Sequence, residues 1–320
     1  MVRIDVYSAG GVRSAEAGEL PALLAAADSA VWVDIEGPSD AEVELLHNVF
    51  HFHPLAVEDT RNQRQRPKVE EYEGYLFTIL NPVVWRMPEL EWRELDIFVS
   101  THYLVTVHPG PEPAVEEARR RLGRATPNGQ VSGGYLLYTA LDVVVDGYFP
   151  VLDDLNEMLE ETEDRMLTDT KHTDLQPVFA AKRSLLELLR VAGAQRDMFN
   201  VLTRRDLPYF PEPALQYYLR DVFDHLLRIN DTLTTERELV SSLIELYLSA
   251  KSTQLNIIVN RLTIFTIVIG LMSVVTGLYG INTGGLVPSA QDSWGMPFVL
   301  AIMAVLAAGF LAVARRLEWW

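Results

Sequence analysis

The chain has 320 residues, of which 48% are hydrophobic and 22% are charged, and its formal net charge at pH 7 is −17. This acidic balance argues against nucleic acid as a partner, because phosphate backbones are bound by basic surfaces, and it suits a protein that works beside cations. The absence of cysteine from the sequence excludes disulfides and thiolate metal sites.

Residues 1–130 predict a mixed α and β domain. Ser39 to Glu42 has the pattern of a capping box and predicts the start of a helix, and Pro113 to Leu122 predicts another. The N-terminus has no long apolar core, so we expect no signal peptide and a cytoplasmic location for this domain. Short runs rich in β-branched and aromatic residues predict strands at VRIDVY, VWVDI, YLFTIL, ELDIFVS and YLVTVH.

Residues 131–212 predict a long helical hairpin. Its first arm is expected to bend near Gly147 and Pro150, and its second arm is expected to run from about Leu175 to Arg205. The first arm is strongly acidic between Asp153 and Asp174. This stretch is interpreted either as a solvated helix face or as a surface that collects divalent ions.

A single long helix is predicted after the hairpin. No proline or glycine occurs between Pro213 and Gly270, so one helix could run to Gly280 over about 100 Å, at 1.5 Å per residue. A helix of this length cannot bury itself, and it requires a bundle or an oligomer. We predict a stalk helix over 213–281 that continues into a first membrane span at about 258–280.

The end of the chain predicts two membrane spans. The stretches 262–280 and 297–314 carry no charge and are long enough for a helix to cross a bilayer. The alternative is a pair of buried core helices. We predict the second span at 297–314 and an external loop at 282–296.

The orientation of the spans follows from the basic residues beside them. Arg261 precedes the first span, Arg315 and Arg316 follow the second, and the loop has no Lys or Arg. The positive-inside rule therefore places both termini in the cytoplasm, with 315–320 as a cytoplasmic tail. This predicts a multi-pass protein of the inner or plasma membrane, with the lipid bilayer as a partner.

A polar stripe runs along the long helix at alternating steps of four and three residues. Nine of its ten positions are polar or small, and the exception is Val259. One interpretation is tight helix packing through small residues. The other is a water-facing surface along the axis of a ring, which also explains the polar side chains before the span. The polar stripe consists of Glu245, Ser249, Ser252, Asn256, Val259, Thr263, Thr266, Gly270, Ser273 and Gly277.

Several stretches in order along the chain resemble the CorA family of divalent-cation transporters. They are FHPLAVEDT, RPKVEEYEGYLFTIL, LDIFVSTHYLVTVH, YYLRDVFDHLLRIND and YLSAKSTQLNIIVNRLTIFT. The resemblance implies an α+β protein with an N-terminal cytoplasmic αβα domain, a long helical stalk and two C-terminal transmembrane helices. It also implies a homopentamer whose partner is itself.

The resemblance also implies site residues. The family's Gly-Met-Asn signature at the pore mouth stands here as Gly280-Ile281-Asn282. The family's pore positions fall on Glu245, Asn256, Gly270, Ser273 and Asn282, which makes Asn282, Asn256 and Glu245 the expected metal contacts of the pore. Val259 or Leu262 is expected to form a hydrophobic constriction. Asp221 matches an acidic position implicated in regulatory ion sensing.

The resemblance implies uptake of Mg²⁺, and also of Co²⁺ and Ni²⁺. The ion is expected to be the transported substrate and also a regulator, and no other cofactor is expected. The segment GINTGGLVP resembles the zinc-transporting ZntB branch, so Zn²⁺ transport is an alternative. His47, His51 and His53 have ligand-like spacing, with ordinary histidines as the simpler interpretation. A membrane-anchored metal sensor or scaffold is an alternative of another class. The sequence has no Walker, GxGxxG, HExxH or nucleophile-elbow motif, and we expect no enzyme.

Overall fold

The structure is a computed structural model that describes residues 1–26, 29–86, 89–125, 131–168, 174–204, 213–280 and 293–316. The chain divides into two compact units. The first comprises Met1–Arg165 and Asp174–Ser242, and the second comprises Met166–Thr173 and Leu243–Trp320.

The first unit is built on a mixed sheet. Its strands are β1 (Val2–Ser8), β2 (Gly11–Ala15), β3 (Ala30–Glu36), β4 (Lys68–Tyr72), β5 (Tyr75–Leu80), β8 (Leu95–Val99) and β9 (Tyr103–His108), in the order β2-β1-β3-β9-β8-β5-β4. Strands β3 and β9 are parallel, and the other neighbours are antiparallel. A separate hairpin consists of β6 (Val83–Arg86) and β7 (Glu89–Trp92). The five runs predicted as strands form β1, β3, β5, β8 and β9.

The helices follow the predicted pattern closely. They are α1 (Leu20–Ala25), α2 (Asp40–Asn48), α3 (Pro54–Arg61), α4 (Pro113–Ala125), α5 (Gly133–Asp146), α6 (Tyr148–Thr168), α7 (Gln176–Arg204), α8 (Pro213–Gly280) and α9 (Gly295–Arg316). The predicted capping box is present, since the Ser39 backbone N–H donates to Glu42 Oε2 over 2.8 Å. The predicted bend is present as the break between α5 and α6 at Gly147.

Alternation along β3 places helices on both faces of the sheet. Val31, Val33 and Ile35 are buried in one core with side chains of α2 and α3. Trp32 points to the other face, where its Nε1 donates to Thr106 Oγ1 over 2.9 Å and the Arg119 guanidinium of α4 lies 4.9 Å from its ring. The first unit is therefore an αβα sandwich with α2 and α3 on one side and α4 on the other.

Three helical stretches are long and apolar enough to cross a membrane by length and composition: Gly133–Met166, Leu215–Gly280 and Gly295–Arg316. In the first, 61% of the apolar window is buried inside the protein, which is the behaviour of a core helix. In the other two only 11% and 0% of the window is buried. Their apolar surfaces therefore stay exposed on the single chain, which disagrees with the alternative of two buried core helices and suits contact with lipid.

Candidate ion pathway and acidic cluster

Every residue of the polar stripe is exposed in the second unit. Val259 is 57% exposed, and Leu262, the other residue predicted at a constriction, is 67% exposed. The stripe's Glu, Asn, Ser, Thr and Gly positions are exposed as well. The stripe is therefore a free surface on one copy of the chain.

The opposite face of the same helix is the one that is covered. Ile264 and Val275 are 4% and 8% exposed, and Val268, Leu271 and Tyr279 on the same face are partly covered. At 100° of rotation per residue, the centre of this face lies about 140° from the centre of the ten-residue polar stripe. Packing within the unit therefore leaves the stripe unused.

The glycines of the stripe are not required by contacts within the chain. A Cβ built at Gly270 or Gly277 would meet no atom within 4 Å among the described residues. If these glycines serve to let another helix approach α8 closely, that helix must belong to another copy of the chain. The two interpretations that remain are contact between copies and exposure to a water-filled axis.

The hydroxyl groups of the stripe present acceptors to their surroundings. Thr263 Oγ1 donates to the Val259 carbonyl over 2.9 Å, and Thr266 Oγ1 donates to the Leu262 carbonyl over 2.8 Å. Ser273 donates to the carbonyl four residues earlier in the same way, over 2.9 Å. Each hydroxyl proton is therefore used on the helix backbone, and the oxygen lone pairs stay free. Water molecules bound to a cation donate hydrogen bonds, so this surface is complementary to a hydrated cation.

Glu245 and Asn256 lie on the same exposed face before the predicted span. Among the described residues neither side chain has an ion pair or hydrogen bond, and the two positions are about 16 Å apart along the helix axis. Gly280 is the last residue of α8. Ile281 and Asn282, predicted at the pore mouth, lie outside the described residues.

A second polar site in the first unit lies near the predicted Asp221. Asp221 is exposed on α8, and His225 follows it by one helical turn. His225 Nδ1 lies 3.5 Å from Asp146 Oδ1 on α5. Among the described residues, only Asp142, Asp146 and His225 bring three His, Asp or Glu ligand atoms within 4.8 Å of one another. Within the part of the chain that the structure describes, His47, His51 and His53 belong to no such ligand set.

Arg121 of α4 supplies the positive charge of this acidic cluster. Its two terminal nitrogens lie 2.8 Å from Asp142 Oδ2 and 2.9 Å from Asp146 Oδ2. Burial and the neighbouring Asp146 carboxylate raise the pKa of Asp142, and the charge of Asp221 adds to this effect, while Arg121 opposes it. A divalent cation bound here would compete with the guanidinium for the same oxygens.

Sequence reasoning identified Asp221 and missed Asp142, Asp146 and His225. Two features could have indicated them: Asp142 and Asp146 are spaced by four residues within an apolar helix, and His225 shares a helix face with Asp221. Of the three histidines with ligand-like spacing, His53 has a structural role. His53 Nδ1 accepts the Leu55 N–H over 3.2 Å as a helix cap, and its ring stacks on Tyr72.

The chain is similar in sequence to known proteins over most of its length. The chain is 33% identical to YfjQ of Bacillus subtilis (strain 168) over 292 residues, covering 90% of this chain and 89% of the relative. It is 29% identical to the cobalt/magnesium transport protein CorA of Thermotoga maritima, covering 99% of this chain and 92% of the relative.

Solved structures have the same fold. The complete structure of the CorA magnesium transporter from Methanocaldococcus jannaschii matches with a TM-score of 0.86 at 23% identity, covering 100% of this chain and 99% of that one. The ZntB cytoplasmic domain from Vibrio parahaemolyticus matches with a TM-score of 0.64 at 16% identity and covers 78% of this chain. The family described as CorA-like Mg²⁺ transporter protein matches residues 27–316, and the chain belongs to that family.

Proposed function

We propose that this chain assembles as a homopentamer in a membrane and conducts hydrated divalent cations, with Mg²⁺ as the principal ion and Co²⁺ and Ni²⁺ as further substrates. The observation that carries the proposal is the polar stripe of α8, which is exposed and lies opposite the covered face of the helix. Rotation of five copies about one axis would bring five such stripes together around water. Family membership supports transport rather than catalysis as the activity.

The chemistry of the stripe suits an ion that keeps its water. Mg²⁺ holds its first-shell waters tightly and gives them up reluctantly. Thr263, Thr266 and Ser273 can accept hydrogen bonds from those waters, because their own protons are used on the helix backbone. The amide oxygens of Asn256, and of Asn282 at the mouth, would act in the same way as rings of acceptors. A ring of Glu245 carboxylates would concentrate cations at the other end.

The transport direction follows from the proposed topology. Both termini lie in the cytoplasm and the loop at 282–296 lies outside. An ion that crosses the inner or plasma membrane into the cell therefore meets Asn282 first. The membrane potential favours entry by about 2.3 kcal/mol per charge per 100 mV. The free energy gained is twice as large for a divalent ion, because it carries two charges.

Asp221 is proposed as part of a regulatory ion site. Support comes from its electrostatic influence on Asp142 and from the cluster of Asp142, Asp146 and His225 beside it. Because Arg121 neutralises two of these carboxylates, an ion would bind when the guanidinium moves away from them.

The test is ion flux into liposomes that contain the purified full chain. Asn282→Ala is expected to abolish Mg²⁺ influx. Asn260→Ala makes the same change at an exposed position of α8 away from the polar stripe, and it is expected to leave the influx unchanged. Equal influx through the Asn282→Ala variant would contradict the assigned role of the mouth residue.

Competition between ions in the same assay separates the alternatives. Block of Mg²⁺ influx by Co²⁺ and Ni²⁺, with little Zn²⁺ influx, supports the proposal. Zn²⁺ influx in preference to Mg²⁺ would favour the alternative suggested by GINTGGLVP. No influx of any ion would favour a membrane-anchored sensor or scaffold.

A further inference from the structure

A cleft of about 800 Å³ opens in the first unit and is unrelated to the polar stripe. The turn at 63–67 and the loop at 109–112 form two of its walls. Trp92 of β7 and Arg190 of α7 line it as well. Its size lies within the range of clefts that bind small molecules.

Two buried acceptor atoms of residues that line this cleft lack donors among the described residues. Glu94 and Asn81 are 6% and 8% exposed, and both line the cleft. Among the described residues, no donor reaches Glu94 Oε1 or Asn81 Oδ1. The other atoms of these groups are engaged, since Asn81 Nδ2 donates to the Arg93 carbonyl over 3.2 Å. A buried acceptor without a partner is costly, so these two oxygens favour a ligand that brings N–H or O–H groups.

The remaining oxygen of Glu94 holds an unusual turn. Glu94 Oε2 accepts the backbone N–H groups of Arg64 over 2.6 Å and of Gln65 over 2.5 Å. Arg64 has φ 82°, a left-handed conformation that is uncommon for a residue other than glycine. Such conformations concentrate at ligand sites, where surrounding contacts hold them in place. One carboxylate therefore fixes the turn that carries Arg64, and its other oxygen lies buried, with no donor among the described residues, in a residue that lines the cleft.

Unpaired arginines surround the same space. Among the described residues, Arg64, Arg66 and Arg190 form no ion pair, and all three are exposed at the cleft. Arg93 is different, because it is already bound to Glu91. Three unpaired guanidinium groups therefore lie at a cleft that Glu91, Glu94 and Glu112 also line. Guanidinium groups match the geometry of phosphate oxygens.

We propose that this cleft binds a nucleoside phosphate. The phosphates contact Arg64, Arg66 and Arg190, and hydroxyl or amino groups of the nucleoside donate to Glu94 Oε1 and Asn81 Oδ1. Trp92, whose Nε1 donates to Glu187 Oε2 over 3.3 Å, provides a flat wall for the base. A metal ion would have to compete with Arg93 for Glu91 and would face three unpaired guanidinium groups. The proposal is independent of ion transport.

The test is calorimetric titration of the detergent-solubilised full chain with ATP in the presence of EDTA. Adenosine and tripolyphosphate, titrated separately, each lack one half of the ligand. ATP is expected to bind more tightly than either. Arg190→Glu is expected to weaken ATP binding by at least about tenfold, because it replaces an attraction by a repulsion. Glu94→Gln is expected to weaken the binding of ATP and to leave the binding of tripolyphosphate unchanged, because it replaces the free acceptor by a donor.

Arg183→Glu is the matched control, since it makes the same charge change on the exposed surface of α7 two turns away, outside the cleft. It is expected to leave ATP affinity unchanged. Thermal unfolding of each variant checks that the fold is retained. No ATP binding by the wild-type chain, or equal loss in the Arg183 and Arg190 variants, would overturn the proposal. Equal affinity for ATP and tripolyphosphate would overturn recognition of the nucleoside.

Discussion

His108 and Asp34 form a buried ion pair on neighbouring strands β9 and β3, with Nε2 3.0 Å from Oδ1. His108 Nδ1 lies 2.5 Å from the Gly110 carbonyl, so both ring nitrogens face acceptors, an arrangement that favours the protonated imidazole. Arg119 Nη2 lies 3.1 Å from the other oxygen of Asp34. The pair therefore links the sheet to α4 through charge.

This pair predicts a pH dependence of stability. Burial lowers the pKa of His108, but the hydrogen bond and charge of Asp34 outweigh it and raise the pKa above its usual value. Burial raises the pKa of Asp34, but the hydrogen bonds from His108 and Thr106 outweigh it and lower the pKa. The His108 contribution is complete below an unfolded pKa of about 6.5 and disappears as pH rises through the folded pKa. The Asp34 contribution is present above an unfolded pKa of about 3.9 and disappears as pH falls through the folded pKa.

We therefore expect the contribution of this pair to the stability of the first unit to be largest between about pH 4 and pH 6.5. His108→Gln retains a donor toward Asp34 but removes the charge, and it is expected to lower stability by about 1–3 kcal/mol at pH 5.5 and less at pH 8.5. Thermal unfolding followed by tryptophan fluorescence measures this difference. The exposed His102→Gln is the control and should show the wild-type pH profile. A His108→Gln variant with that same profile would contradict the assignment.

Arg121 is predicted to regulate the cation affinity of the acidic cluster. Because it neutralises Asp142 and Asp146, Arg121→Gln is expected to tighten Co²⁺ binding by roughly tenfold, equivalent to about 1.4 kcal/mol. Calorimetric titration of the full chain measures the affinity. Arg120→Gln removes the neighbouring arginine, which pairs with Glu117, and should leave the affinity unchanged. Unaltered Co²⁺ binding by Arg121→Gln would argue against a regulatory site here.

The free acceptor of Thr266 is predicted to support ion flux. Thr266→Val keeps the shape of the side chain and removes the hydroxyl group that the polar stripe presents at this position. Loss of one interaction of about 1.4 kcal/mol with the passing ion is expected to lower Mg²⁺ influx into liposomes by roughly tenfold. Thr276 bonds the helix backbone in the same way, over 3.0 Å, and lies off the stripe. Thr276→Val should therefore conduct normally. Equal effects of the two changes would mean that the stripe has no special role.

Gly270 separates the two interpretations of the polar stripe. A Cβ at Gly270 or at Gly309 of α9 would meet no atom within 4 Å among the described residues, so a side chain can begin at either position without a clash inside the single chain. If the stripe faces water, Gly270→Leu narrows the pathway, and we expect influx to fall while the mass of the oligomer by light scattering stays constant. Gly309→Leu should change neither. Dissociation of the Gly270→Leu oligomer would instead indicate that the stripe packs between copies.

Much of the fold was predictable because its determinants are local. The strands β1, β3, β5, β8 and β9 follow from runs of β-branched residues, and the long helix follows from the absence of proline and glycine between Pro213 and Gly270. The strands β2 and β4, the hairpin of β6 and β7, and the helices α1 and α3 were missed, because their short segments carry weaker patterns. Family membership was predictable from motifs spread along nearly the whole chain, and the match over residues 27–316 confirms it.

The sequence by itself determined the two uncharged helices, the polar stripe and its period, since charge, apolar content and helical spacing are properties of neighbouring residues. Only the tertiary structure decided which face of α8 is covered, and that Asp142, Asp146 and His225 share one cluster under Arg121. It also decided that Glu94 holds the turn of Arg64. These relationships join segments that are distant in the chain, and they depend on how helices and strands pack, which local composition does not specify.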